Sequence, residues 1–156
     1  MTELFQVKAL ALEQWDSHWQ QVRQANLLQS WQYGTAKEQA EGWRALRFLI
    51  SDNTGRPVAL AQVLTRTLAL LGGIARLNRG PLLLGEPTEE QAIEYALGAL
   101  RALLREARGR RWWVMQVAPE LPDTETVRQA LKHIGLRRRE DPAWASGRLA
   151  LGSDEQ

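Results

Sequence analysis

The chain has 156 residues, 44% hydrophobic and 24% charged, which suits one folded domain with its own core. It has no cysteine, which excludes disulfides, thiolate metal sites and a cysteine nucleophile, and its two histidines, His18 and His133, lack any metal-like spacing. The formal charge is only +2, but basic residues gather at 108–111 and 137–139, clusters that either face solvent or attract phosphate.

The opening "MTELFQVKAL" has an acid at position 3 and no long apolar run, so it is not a secretory signal, and its "FQVKALA" alternates as a strand does. In "LEQWDSHWQQVRQA" Leu12, Trp15, Trp19 and Val22 recur at helical spacing. A second helix follows, N-capped by Ser30 and running to Glu41, where Gly42 stops it. It carries Gly34 in its interior, at a cost of about 1 kcal/mol relative to alanine.

From Trp43 the period changes to that of two strands joined by a tight turn at Asp52 to Gly55. A third adjacent strand is entered through Gly72 and Gly73 and broken at Gly80 and Pro81. Thr88 to Gln91 form a capping box, and Ile93, Leu97, Leu100, Leu104 and Ala107 mark one face of a long helix. "RWWVMQVAP" reads as a buried strand, the stretch from Asp123 to His133 as a helix stopped by Gly135, and "LRRRE" and "GRLAL" as final strands. The longest apolar stretches fall far below the ~18 residues of a membrane span, so a soluble cytoplasmic protein with no transmembrane segment is expected.

This order of strand, two helices, three-strand meander, long helix, strand, helix, strand resembles the acyl-CoA N-acyltransferase (GNAT) fold. The fold class is therefore α/β (α+β): a mixed central sheet with an antiparallel meander and about four helices on its two faces, in a single domain over 1–156. CoA-dependent members normally carry a glycine-rich turn, Arg/Gln-x-x-Gly-x-Gly/Ala, before the long helix, where backbone amides bind pyrophosphate. Here the junction reads "RLNRGPLLLGEPTEEQ", without that turn and with Glu86, Glu89 and Glu90 at the helix entrance.

The stretches "LLQSWQYGTAK" (27–37), "GRPVALAQVL" (55–64), "NRGPLLL" (78–84), "WVMQVAPE" and "LKHIGLRR" resemble instead the Fem family, aminoacyl-tRNA-dependent peptidyltransferases built from tandem GNAT-like domains. That resemblance implies an aminoacyltransferase that needs no cofactor, with aminoacyl-tRNA as donor and a nucleotide-linked or lipid-linked muropeptide precursor as acceptor. Fem proteins usually hold two such domains, so a homodimer or a second GNAT-like chain would restore the missing half. A CoA-dependent N-acetyltransferase and a non-catalytic binding module are the alternatives.

The resemblance implies a ligand role for Lys37, which shares a helix face with Ser30 and Tyr33. Gly34 beside them either lets a ligand approach or lets the helix pack closely against Trp15 or Trp19. Arg79, Arg66 and, more weakly, Arg76 are candidates for an anionic-ligand wall, against the alternative that they cover apolar surface. Trp15, Trp19, Trp112 and Trp113 are expected in the core, which leaves Trp31 and Trp144 as the candidates for surface aromatics, against the alternative that they too are core. The catalytic base stays unassigned between Asp52, in the hairpin turn, and Glu86.

Overall fold

The computed structural model describes residues 5–67 and 72–139. Its strands are β1 (Gln6–Ala9), β2 (Arg44–Ser51), β3 (Pro57–Thr67), β4 (Gly73–Asn78), β5 (Leu82–Leu83) and β6 (Trp112–Ala118). Its helices are α1 (Leu12–Trp19), α2 (Trp31–Glu41), α3 (Glu89–Gly109) and α4 (Glu125–His133). The sheet order is β1-β2-β3-β4-β6, with β5 also on β3. All pairs are antiparallel except β4 with β6, which run parallel and are joined through α3.

Local chemistry accounts for most boundaries. Ser30 Oγ accepts the Tyr33 amide at 3.2 Å and Gly42 closes α2 at φ +67°, a left-handed conformation that glycine adopts without strain. The expected capping box of α3 forms, with Thr88 Oγ1 accepting from the Gln91 amide and Gln91 Oε1 from the Thr88 amide. Asp52 Oδ1 accepts from the Thr54 and Arg56 amides and the Thr54 hydroxyl, pinning the β2–β3 turn.

Two cores result. On one face Phe48, Ile50, Val58 and Ala61 of the sheet pack with Ala99, Leu100 and Leu103 of α3, and with Leu131 of α4. On the other, Trp15 and its stacked neighbour Trp19 cover Leu49 and Leu60, while Tyr33 covers Trp43, Ala45 and Leu64.

Four expectations change. The first helix ends at Trp19, and Val22 instead bridges to Leu84, extending the sheet region. Beyond the expected break at Gly80 and Pro81, where no further strand is expected before the long helix, Leu82 and Leu83 form a short strand on β3. Residues 136–139 form no strand, and "GRLAL" lies outside the described residues. Trp113 is not core: it is 61% exposed, because two residues, Trp112 and Trp113, sit in an irregular register against Gly73 where β6 begins.

Candidate functional site

The parallel strands β4 and β6 stay hydrogen-bonded from Gly73 and Trp112 to Asn78 and Ala118. Just past that point Arg79, after β4, and Glu120, after β6, face each other, and in open α/β sheets the region outside the carboxyl ends of parallel strands is where ligands bind. A buried amide shapes the β4 side of this mouth. The β3–β4 ladder ends at Leu64–Arg76, and the Gln29 side chain takes over where the strands separate. Its Nε2 donates to the carbonyls of Gln62 (3.1 Å) and Asn78 (2.7 Å), and its Oε1 accepts the Gln62 amide at 2.8 Å. Gln29 is fully buried, so a side chain here completes the backbone pairing that a strand would otherwise supply.

Gly80 makes room for this insertion, since a Cβ there would lie 2.9 Å from Gln29 Cδ. Past Asn78 the chain turns out at Arg79, with φ +51°, a conformation that costs any residue but glycine roughly 1–2 kcal/mol. The Arg79 guanidinium crosses the mouth to Glu120, which follows β6, with Nε donating to Oε1 at 2.7 Å. Asn26 Nδ2 donates to the Arg79 carbonyl at 2.8 Å, fixing the bulge from the other side. Above it lies a small apolar cavity of about 100 Å³ lined by Pro81, Ile93, Ala96 and Leu121, with Glu89 and Glu120 on its border.

A polar seam runs from Gln29 beneath α2. Gln62 Nε2 donates to the carbonyl of Ser30 at 2.8 Å, and its Oε1 accepts from Arg47 Nε at 3.0 Å. Arg47 in turn donates to the Trp31 carbonyl, lies 3.7 Å over the Trp31 ring and faces Glu38 at 3.9 Å. Burial pushes the Arg47 pKa down, and the Glu38 charge opposes that shift. Gly34 belongs to this seam: a Cβ on it would lie 2.6 Å from Gln62 Cδ and 2.8 Å from Arg47 Nη2. The close-packing alternative holds for Gly34, with Gln62 and Arg47 as partners in place of the tryptophans. Nor is Trp31 a free surface aromatic, because it packs edge-on against Trp15 under the Arg47 guanidinium. Trp144 lies outside the described residues.

The other candidates divide between two regions. Ser30 is the α2 cap, and Arg79 stands at the mouth. Lys37 forms an ion pair with Glu41 one turn on and lies 5.5 Å over the Tyr33 ring, and its hydrogen bond to Glu41 holds its pKa above the usual lysine range. Arg66 and Arg76 lie 5.0 Å and 4.9 Å over the buried Trp43, and Arg66 also donates to the Glu41 carbonyl. These cations form one strip around Tyr33 and Trp43. Arg79 follows the end of β4, three residues or about 10 Å beyond Arg76, the nearest of these cations along the strand. The strip and the mouth are separate.

Asp52 is committed to its turn, and Glu86 is an exposed partner of Arg23 at 3.4 Å. Neither lies at the mouth. Glu120 does: it closes the stretch "WVMQVAPE" that carries part of the resemblance, although no role was assigned to it there. Among the described residues no cluster of His, Cys, Asp and Glu could hold a metal, and no helix is long and apolar enough to cross a membrane.

The start of α3 does not fit a CoA pyrophosphate. Its capping box occupies the Thr88 and Gln91 amides, Glu89 and Glu90 bring negative charge to the first turn, and the preceding amides of Leu84 and Gly85 are bonded to Val58 and Gln21 carbonyls.

No known family model matches the chain, and no curated protein matches it. Solved structures do. The chain is similar to a probable acetyltransferase, at 18% identity over 96% of this chain and 99% of the other with a TM-score of 0.54. It is also similar to an aminoglycoside antibiotic 6'-N-acetyltransferase from Acinetobacter baumannii, at 12% identity over 94% and 99% with a TM-score of 0.50. A transcriptional regulator from Bacillus halodurans C-125 shares 8% identity over 92% and 99%, with a TM-score of 0.56. At these identities the likeness shows the fold, and the chain has the GNAT-like fold that its element order implies.

Proposed function

We propose that this chain is an N-acyltransferase domain that moves an acyl group from an activated ester or thioester onto an amine. The region past the carboxyl ends of the parallel pair β4 and β6 carries the reading, because there Arg79 and Glu120 meet beside a small apolar cavity on a GNAT-like sheet. In such a transfer the amine nitrogen bonds to the acyl carbon, the C–O bond of an ester or the C–S bond of a thioester breaks, and the proton lost by nitrogen ends on the leaving oxygen or sulfur. An ester is already activated, so positioning and one proton acceptor suffice. Glu120, held by Arg79 and Asn26, is the carboxylate at this opening and the residue we assign to receiving the amine.

The finer reading takes aminoacyl-tRNA as donor and a nucleotide-linked or lipid-linked muropeptide as acceptor, as in the Fem family. Two observations favour it: the acidic, self-capped start of α3, and the strip of Lys37, Arg66 and Arg76, which suits phosphates of a precursor. A second copy or a second GNAT-like chain would then complete the cleft. The acetyltransferases among the structural neighbours favour a second reading, acyl-CoA as donor with its pyrophosphate held away from α3.

Melting curves with acetyl-CoA, a UDP-linked muropeptide and aminoacyl-tRNA, followed by transfer assays with whatever binds, test this. A ligand at 100 times its Kd stabilises the fold by about 2.7 kcal/mol, a readily measured shift. Stabilisation and turnover with acetyl-CoA alone would overturn the finer reading. No stabilisation and no transfer with any of them would overturn the acyltransferase itself.

A further inference from the structure

A second groove of about 520 Å³ runs along α3, between that helix, the β2–β3 turn and the segment leading into β1. Its floor is Phe5, whose ring lies on the bare backbone of Gly98: a Cβ there would come within 2.7 Å of Phe5 Cε1. Arg105 Nη2 donates to the Phe5 carbonyl at 2.7 Å, so the floor is held at both its ring and its backbone. Leu97 and Tyr95 continue the wall, and Arg56 fixes Tyr95 by a hydrogen bond to its hydroxyl.

The charges are sorted by position. Asp52 is spent on its own turn, which leaves Glu94 as the exposed carboxylate at the end nearer the turn. Arg101 is the exposed cation at the other end, with the unused guanidinium N–H groups of Arg105 beside it. Glu94 and Arg101 have no partner among the described residues. They stand seven positions apart on one helix face, about 10 Å along the axis, with Gly98 and Phe5 between them. An extended peptide advances about 3.3–3.6 Å per residue, so about three residues span that separation.

We propose that this groove is a ligand site distinct from the mouth. It takes a short zwitterionic peptide of about three residues, with its ammonium at Glu94, its carboxylate at Arg101 and Arg105, and an apolar side chain over Phe5. The reading does not depend on acyl transfer.

Titration calorimetry of the full chain with Ala-Leu-Ala, its N-acetyl form and its C-terminal amide tests the site. The free tripeptide should bind saturably. N-acetylation and Glu94→Gln should each weaken binding at least tenfold, with no further loss when combined, and amidation and Arg101→Gln should behave the same way. Both side chains are exposed, so neither substitution threatens the fold. Absence of saturable binding at millimolar peptide, or equal binding of all three forms by the protein and both variants, would overturn it.

Discussion

The bare backbone of Gly34 lies against the side-chain amide of Gln62, so close that a Cβ would fall 2.6 Å from Gln62 Cδ. Helix α2 therefore sits on the sheet at a distance that only glycine permits, and the contact is polar. Gly34→Ala gains about 1 kcal/mol in helix propensity. It must also push Gln62 out of hydrogen bonds with Ser30 and Arg47, which cost more when left unmade in the interior. The expected net loss is about 2–4 kcal/mol in urea unfolding, and a variant as stable as the parent would show that the amide can move aside.

Gln29 gives a second prediction. Replacing it by leucine keeps the volume but leaves the Gln62 amide and the Gln62 and Asn78 carbonyls without their partner. A loss of about 2–4 kcal/mol is expected from orphaned buried groups. Amide exchange should rise at Gln62 first, and unchanged protection there would contradict the bridging role.

Arg79 separates backbone from side chain. Both Arg79→Gly and Arg79→Ala remove the ion pair to Glu120, but only glycine relieves the positive φ. The glycine variant should be the more stable of the two by about 1 kcal/mol. Equal unfolding midpoints would mean that the turn relaxes when the guanidinium is gone.

Lys37→Ala should leave the melting temperature unchanged, since its Glu41 partner and the Tyr33 ring are both at the surface of α2. If the cationic strip holds precursor phosphates, the same variant should bind a UDP-linked muropeptide about tenfold more weakly. Undiminished affinity would remove Lys37 from the strip.

Acid stability should depend on Asp52. Its burial works to raise the carboxyl pKa, but hydrogen bonds from the Thr54 hydroxyl and the Arg56 and Thr54 amides prevail and hold it below the ordinary aspartate value of 3.8. A folded pKa below the unfolded one stabilises the protein above the unfolded value, and that stability fades as pH falls through the folded value. Asp52→Asn should thus be less stable than the parent at pH 6, and the gap should begin to narrow only near pH 4 and close once the pH is below the folded value. A gap constant from pH 6 to pH 2 would exclude a role for the carboxylate charge.

Much of the fold could be read locally. Ser30, Gly42, the Asp52 turn and the Thr88–Gln91 box are short-range signals, and each acts as its chemistry demands. What escaped the sequence is contact between distant residues. Gln62 interrupts the apolar run "VALAQVL" and Arg47 the run "LRFLI", and such polar breaks in otherwise buried strands were the visible trace of the seam. Nothing in the sequence says that Gln29 is their partner. Trp113 misled because an apolar run reads as interior, whereas the register irregularity that exposes it belongs to strand pairing. The site candidates shared helix or strand periodicity, which fixes a face but not a position along the sheet, so Arg79 was grouped with a strip whose nearest member, Arg76, is about 10 Å before it along the strand.

The parallel pairing of β4 with β6 also bears on how the molecule comes together. The β2–β3 hairpin closes over five residues around Asp52, whereas β6 can reach β4 only after the whole of α3 has been traversed. Pairing across so long a loop forms late, because its entropy must be offset by contacts made at the end. The mouth between Arg79 and Glu120 should accordingly be the last part assembled during refolding. Pulse-labelled hydrogen exchange would find amides of β2 and β3 protected before those of β6. Destabilising substitutions in β6 would then speed unfolding while leaving the folding rate nearly untouched.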